Sequence, residues 1–232
     1  MAEVMRLMLF SQYRDGAPVQ RAKISQLLSQ LCPQLKRINL ASYVIAEAQV
    51  KFALVFGYEM KELERMQQKK TGSRVLNQSE PVKEYVLKSM LPAKSRRRWI
   101  DQPADLAWRA FIMTVCSLVR ISGGQIEEGT LWKHLAALGV RQDDNAHPKF
   151  GNTKAALDRL IKQRYLIREK LSVANSADGD SYGLALAERA LDEFGQEGVD
   201  AFVQKVMQGE GTDDPAENGD AAAGASGGSA RN

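Results

Sequence analysis

The chain has two cysteines, two histidines and no long apolar run. Cys32 and Cys116 stand far apart, and neither has a metal-ligand neighbour at a useful spacing. That argues against a disulfide-stapled scaffold and a zinc module, and it favours two buried thiols in a reducing compartment. His134 and His147 also lack a Cys or His at ligand spacing. His134 falls on a short helix, and His147, next to Pro148, reads as a loop residue rather than a catalytic base. No segment approaches the ~20 apolar residues that a membrane-spanning helix needs. The apolar stretch from Val4 to Phe10 is short, is interrupted by Arg6 and lacks a small-residue cleavage site, so no secretory signal is expected. The expectation is a soluble, intracellular chain. Neither Gly-x-Gly-x-x-Gly nor Gly-x-x-x-x-Gly-Lys-Ser/Thr occurs. No enzyme activity, cofactor or metal is expected.

What is present is a basic, moderately apolar body. At 232 residues, with 44% apolar residues, the chain can bury one large core or two small ones. The formal charge of +4 combines unlike parts. From Gly209 onward five acids (Glu210, Asp213, Asp214, Glu217, Asp220) face one base, Arg231. Residues 1–208 therefore carry +8. A basic body suits a polyanionic partner, although a solvated surface explains the charge as well.

The strongest pattern lies between His147 and Leu186. An amphipathic helix over 153–165 puts Leu157, Leu160 and Ile161 on one side, with Lys154, Asp158, Arg159, Lys162 and Gln163 on the other. Strands 166–173 and 181–186 follow, joined by a polar turn at 175–180. A helix with a basic outer face followed by a hairpin is the order of a winged helix, which offers a helix and a wing to duplex DNA. From Lys154 to Lys170 there are six bases (Lys154, Arg159, Lys162, Arg164, Arg168, Lys170) against Asp158 and Glu169. That excess points to phosphate contact more than to base reading, because no Asn or Gln pair is placed for adenine.

The rest of the chain fits two units. In the first, helices are expected over 2–13, around Ile24, Leu27, Leu28 and Leu31, and over 34–56, with a break at Cys32-Pro33 and a left-handed cap at Gly57. Strands 58–64 and 74–78 follow, with a turn at 69–72. In the second, helices 104–121 and 127–138 precede the basic helix and hairpin. A last helix over 187–207 is weakened in the middle by Gly195 and Gly198. The predicted fold is mainly α with small β-hairpins, as two tandem winged-helix domains: 1–87 and 104–208. They are separated by a basic linker, 88–103, and followed by a disordered acidic tail, 209–232. Pro92 and Pro103 argue against a continuous helix in the linker. Its Lys94, Arg96, Arg97 and Arg98 read as a solvated linker, as a phosphate-contacting strip, or as a nuclear localisation signal. The opening helix is apolar on more than one face. Val4, Leu7 and Met8 make one stripe; Met5, Leu9 and Phe10 lie beside it. Either the helix is fully buried, or Met5, Met8, Leu9 and Phe10 serve a partner.

Several segments resemble the MAGE homology domain family. They are Met8-Leu9-Phe10 with Pro18, the run Val55 to Leu63, the run Gly124 to Trp132, Leu138-Gly139-Val140, His147-Pro148-Lys149-Phe150-Gly151 and Gln163-Arg164-Tyr165-Leu166. The resemblance covers about residues 4–190. Where the family carries Trp-Gly-Pro-Arg-Ala, this chain has Leu186-Ala187-Glu188-Arg189-Ala190, which keeps only the Arg-Ala. Among the family's branches it looks most like the MAGE-type non-SMC element of the SMC five/six complex. The resemblance implies tandem winged helices, a nuclear location, a RING-type ubiquitin ligase partner, a kleisin partner and double-stranded DNA binding. It implies a non-catalytic subunit working in chromosome maintenance, DNA repair and recombination. The alternatives are a winged-helix transcription regulator and a MAGE-type ligase adaptor that does not bind DNA.

Overall fold

A computed structural model describes residues 1–35, 40–65, 82–171 and 181–208. Helix α1 (Ala2–Arg14) ends where Asp15 accepts the Ala17 N–H and Gly16 turns to φ 64. A two-residue strand, β1 (Val19–Gln20), leads into α2 (Arg21–Leu31), which buries Ile24 and Leu28. Pro33 stops it in a 3-10 turn, Pro33–Leu35. The third helix is shorter than expected: α3 is Leu40–Lys51, and it continues as a π-helical turn, Phe52–Phe56. Gly57, at φ 64, is the left-handed cap that the sequence calls for. Strand β2 (Tyr58–Arg65) matches the expected strand within a residue. The expected strand 74–78 and the turn at 69–72 lie outside the described residues. The partner of β2 is β3 (Val82–Ser89), with Met60 opposite Leu87 and Tyr58 opposite Ser89. The sheet order is β1-β3-β2, all antiparallel.

The linker is more ordered than expected. β3 runs through Ser89, and a short helix, α4 (Ala93–Trp99), starts directly after Pro92. Helix α5 (Pro103–Ile121) starts on Pro103, with Gln102 and Asp105 forming a reciprocal cap. The two prolines do exclude a continuous helix. Each also sits where a helix start needs no N–H, so they frame two helices instead of preventing any.

The remaining elements repeat the first set. They are β4 (Gln125–Glu127), α6 (Glu128–Ala137), α7 (Thr153–Lys162), β5 (Leu166–Leu171), β6 (Ser181–Leu186) and α8 (Glu188–Met207). The second sheet is ordered β4-β6-β5, matching the first. Asn152 caps α7 by accepting the Ala155 N–H at 2.7 Å. The helix stops three residues earlier than expected, because Arg164 takes φ 67. The expected turn at 175–180 and the strand end at 172–173 lie outside the described residues, as does the tail. Helix α8 is broken at Gly195 (φ 65, ψ 168), the weak point expected from the sequence.

Each half has its own core. Val4, Met8, Ile24, Phe52 and Tyr85 pack in the first, and Val115, Leu131, Leu157, Leu160 and Leu184 in the second. A fully buried leucine stabilises a fold by roughly 1.5–3 kcal/mol. The chain is thus mainly helical, with two small antiparallel sheets.

Candidate functional site

The basic strip of the second half is built by α7 and β5. The apolar side of α7 (Ala156, Leu157, Leu160) is buried, which turns Lys154, Asp158, Arg159 and Lys162 outward. Lys154 is exposed beside Gln142, Asp143, Asn145 and Asn152. The Arg159 guanidinium lies 4.4 Å from the centre of the Trp108 ring, a cation–π contact that leaves its outer face open. Lys170 is exposed at the end of β5. Arg168, Lys162 and Arg164 form ion pairs within the protein. Arg168 pairs with Glu128 and Asp158, both at 3.0 Å. Lys162 pairs with Asp15 at 2.8 Å while staying 62% exposed. Arg164, only 14% exposed, pairs with Glu84 at 3.1 Å.

The bases of the former linker divide in the same way. Lys94, Arg97 and Arg98 are exposed, with Arg98 5.1 Å from the centre of the Trp99 ring. Arg96 is half-buried and pairs with Asp101, which also holds Arg109.

On α1 the expected partner face needs one correction. Met8 is 2% exposed and sits in the core with Val4, so it is not available to a partner. Met5, Leu7 and Leu9 are half-buried against that core, and Phe10 is 65% exposed. Leu7, Phe10 and Leu27 line a shallow groove between α1 and α2, edged by Arg6 and Lys23.

Sequence reasoning missed how the two halves meet. Arg189 is buried; its Nη1 donates to the Gly16 carbonyl at 2.6 Å and to the Gln163 carbonyl at 3.1 Å. Its guanidinium lies 4.7 Å from the centre of the Tyr165 ring. Gln163 donates from Nε2 to the Asp15 carbonyl at 2.5 Å. A Cβ at Gly16 would fall 2.8 Å from that Nε2, so glycine permits the approach. On another side, Asp192 of α8 pairs with Lys61 at 2.9 Å and Lys88 at 3.3 Å. The one available signal was Arg189-Ala190, retained where the rest of the family's motif is replaced.

The electrostatics follow the pairing. The Lys162 hydrogen bond holds the Asp15 carboxyl below the usual carboxylate range, against the opposing effect of burial. Burial pushes the Asp192 carboxyl up, but the bonds to Lys61 and Lys88 outweigh it, so it too sits low. Burial and Glu62 push the Tyr85 hydroxyl up to about 12, and burial and Glu193 push the Cys116 thiol up to about 12.

Between the halves lies a cleft of about 480 Å³. Its lining is mainly polar, with Tyr58, Trp108 and Phe194 set among Arg109 and Arg159 on one hand and Asp101, Asp105 and Glu193 on the other. Among the described residues, no three His, Cys, Asp or Glu side chains are grouped closely enough to hold a metal ion. Among them also, no helix is long and apolar enough to cross a membrane.

Comparison with known proteins places this architecture. Over 193 residues the chain is 24% identical to Non-structural maintenance of chromosome element 3 of Schizosaccharomyces pombe, covering 78% of this chain and 57% of that protein. It is 24% identical over 210 residues to human Melanoma-associated antigen F1, covering 90% of this chain and 60% of that protein. It thus spans under two thirds of both relatives. A chain of the solved Nse1-Nse3-Nse4 complex superposes with a TM-score of 0.69 at 22% identity, covering 89% of this chain and 88% of that one. That identity speaks to the fold alone. The MAGE homology domain model matches residues 4–197, most of the described structure. The chain belongs to the MAGE homology domain family.

Proposed function

We propose that the protein is a non-catalytic subunit of an SMC-type chromosome-maintenance complex. In this reading it holds double-stranded DNA and docks a RING-type ubiquitin ligase subunit and a kleisin, in the nucleus. Each half is read as a winged helix, with domains 1–87 and 104–208. The repeated order of three helices and a three-stranded sheet supports that reading. The observation that carries the function is the outer face of α7. Lys154, Arg159 and Lys162 project from a helix whose other side is core, next to a two-stranded wing. Phosphate contact through such a surface is sequence-independent and falls steeply with salt. Lys94, Arg97 and Arg98 of α4 are exposed and add to the positive charge of the body.

Phe10, with Leu9 and Met5 beside it, is the ligase face. Exposed apolar anchors of this kind dominate protein interfaces. The cleft between the halves is assigned to the kleisin, because aromatic side chains set among charges of both signs suit an amphipathic segment.

A duplex-binding titration tests the reading. Random and selected duplexes of equal length should bind with similar affinity, and log affinity should fall linearly with log salt. Strong preference for one sequence would favour a transcription regulator. A second reading, a MAGE-type ligase adaptor without DNA binding, draws support from the equal identity to Melanoma-associated antigen F1. Salt-independent absence of duplex binding, with ligase co-purification intact, would select it.

A further inference from the structure

The end of α7 contacts the other half of the molecule through three consecutive residues. Lys162 Nζ meets Asp15 Oδ2 at 2.8 Å, Gln163 Nε2 meets the Asp15 carbonyl at 2.5 Å, and Arg164 Nε meets Glu84 Oε2 at 3.1 Å. Asp15 follows α1, and Glu84 lies in β3, the central strand of the first sheet. Two bases of the strip read as phosphate ligands are therefore already holding anionic oxygens, at the distances that a phosphate oxygen would take. The fit at Arg164 is incomplete. Its Nη2 is buried with no acceptor, so Glu84 satisfies the guanidinium on one side only. Its backbone is held at φ 67, a conformation that a residue with a side chain seldom keeps without a tertiary contact. Glu84 is itself a buried carboxylate, held by Arg164 and by Gln20 Nε2 at 3.4 Å. By contrast, the Asp192 pairs with Lys61 and Lys88 use no base of the strip.

We propose that Asp15 and Glu84 stand in for phosphate, so that duplex binding and closure of the two halves compete for Lys162 and Arg164. This rests on the reading of the second half as a duplex-binding surface. In the closed arrangement Lys154 and Arg159 are the first bases to meet a duplex. A duplex carries one negative charge per ~1.7 Å of its axis, so it can outbid two single carboxylates once docked. The halves then part at the α1–α7 side, where the Arg189 bond to the Gly16 carbonyl also breaks and the bond to the Gln163 carbonyl is kept, while the Asp192 contacts act as the hinge. Partners that tighten closure would weaken duplex binding, and partners that open it would strengthen duplex binding, by the reciprocity that links any two coupled sites.

The test is the double substitution D15N/E84Q in the full chain, with a random duplex as the probe. A control, E59Q/E197Q, neutralises two exposed acids elsewhere. The clasp variant should bind at least ~5-fold tighter than wild type at low salt, with a salt slope steeper by about two released ions. The control should differ from wild type by less than ~2-fold. Equal affinities for the clasp variant and the control would overturn the competition while leaving the duplex reading in place. No duplex binding by any of the three proteins would overturn both. If melting shows that E84Q unfolds the protein, D15N alone decides, because Asp15 lies in the turn after α1 and outside both sheets. It should steepen the slope by about one ion, and an unchanged slope would overturn the proposal.

Discussion

The helices α3 and α7 occupy equivalent places in the two halves, each third in order before its hairpin, and they present opposite chemistry. On α7 the outward residues are Lys154, Asp158, Arg159 and Lys162. On α3 and its π-helical extension they are mostly apolar: Tyr43, Val50, Leu54, Val55 and Phe56, with Ala46 and Ala53 between them and Lys51 the single exposed charge. The inward residues are apolar in both. The comparison teaches that the architecture fixes where a binding helix sits but leaves its partner to the outer face. An apolar outer face binds no polyanion, and a charged one makes a poor apolar interface core. The same fold can therefore carry a protein-docking half and a nucleic-acid half.

The largest expected effect tests whether the two cores are equivalent. Phe52→Ala and Leu160→Ala remove fully buried side chains from the first and second cores. Each should cost about 2–5 kcal/mol in denaturant melts. If the halves are held as one unit by Arg189 and the clasp, each variant should melt in one transition. Two transitions would show that the halves unfold separately.

The outer faces can then be exchanged in effect. Arg159→Glu with Lys162→Glu should lower duplex affinity at least ~10-fold at low salt and flatten its salt dependence. Tyr43→Ser with Leu54→Ser should leave duplex affinity within ~2-fold. Equal losses from both pairs in a titration would end the division between the halves.

On the first half, Phe10→Ala with Leu9→Ala should abolish pull-down of a RING-type partner while duplex binding persists. A truncated anchor costs ~2 kcal/mol or more of binding. Phe10→Ala alone should melt within about a degree of wild type, because its ring is mostly in water. Leu9, half-buried, should cost more stability. A steep fall in melting temperature for Phe10→Ala would place the ring in the core.

Smaller effects concern acid and thiols. Asp15 and Asp192 titrate below their usual value of 3.8, so each stabilises contact between the halves above that pH. The contribution is lost as pH falls through the lower folded-state values. Acid titration should therefore separate the halves below about pH 4, and small-angle scattering would register the expansion. D192N should abolish that part of the transition. With its thiol pushed up to about 12, Cys116 should resist a thiol reagent at pH 8, while half-exposed Cys32 reacts. Two fast-reacting thiols in the native protein would contradict the burial of Cys116.

What could be read from the residues was what is local. The stripe Leu157, Leu160 and Ile161 located α7, Gly57 located the end of the third helix, and Gly195 located the break in α8. The strands β1 and β4 escaped notice because two or three residues carry no alternation, and they pair with β3 and β6 about 60 residues away. β3 was hidden by Glu84, a charged residue inside the buried run Glu84 to Leu87. The positive strip was legible as composition. Its division was not, because which of six bases faces an acid depends on Asp15 and Glu84, both more than 70 positions from Arg164. Met8 shares the Val4 stripe that the sequence shows, but it was also counted among the partner residues, because both stripes of α1 are apolar and only the packing tells which one is covered.

The π-helical turn at Phe52–Phe56 is one residue of slack. A residue in an α-helix advances about 100° around the axis, and a turn closed by i→i+5 bonds uses one residue more for nearly the same rotation. The chain takes up that residue before Gly57, and β2 leaves with Met60 against the first core. Deleting one residue between Phe52 and Phe56 should therefore restore α-helical bonding and leave β2 paired with β3.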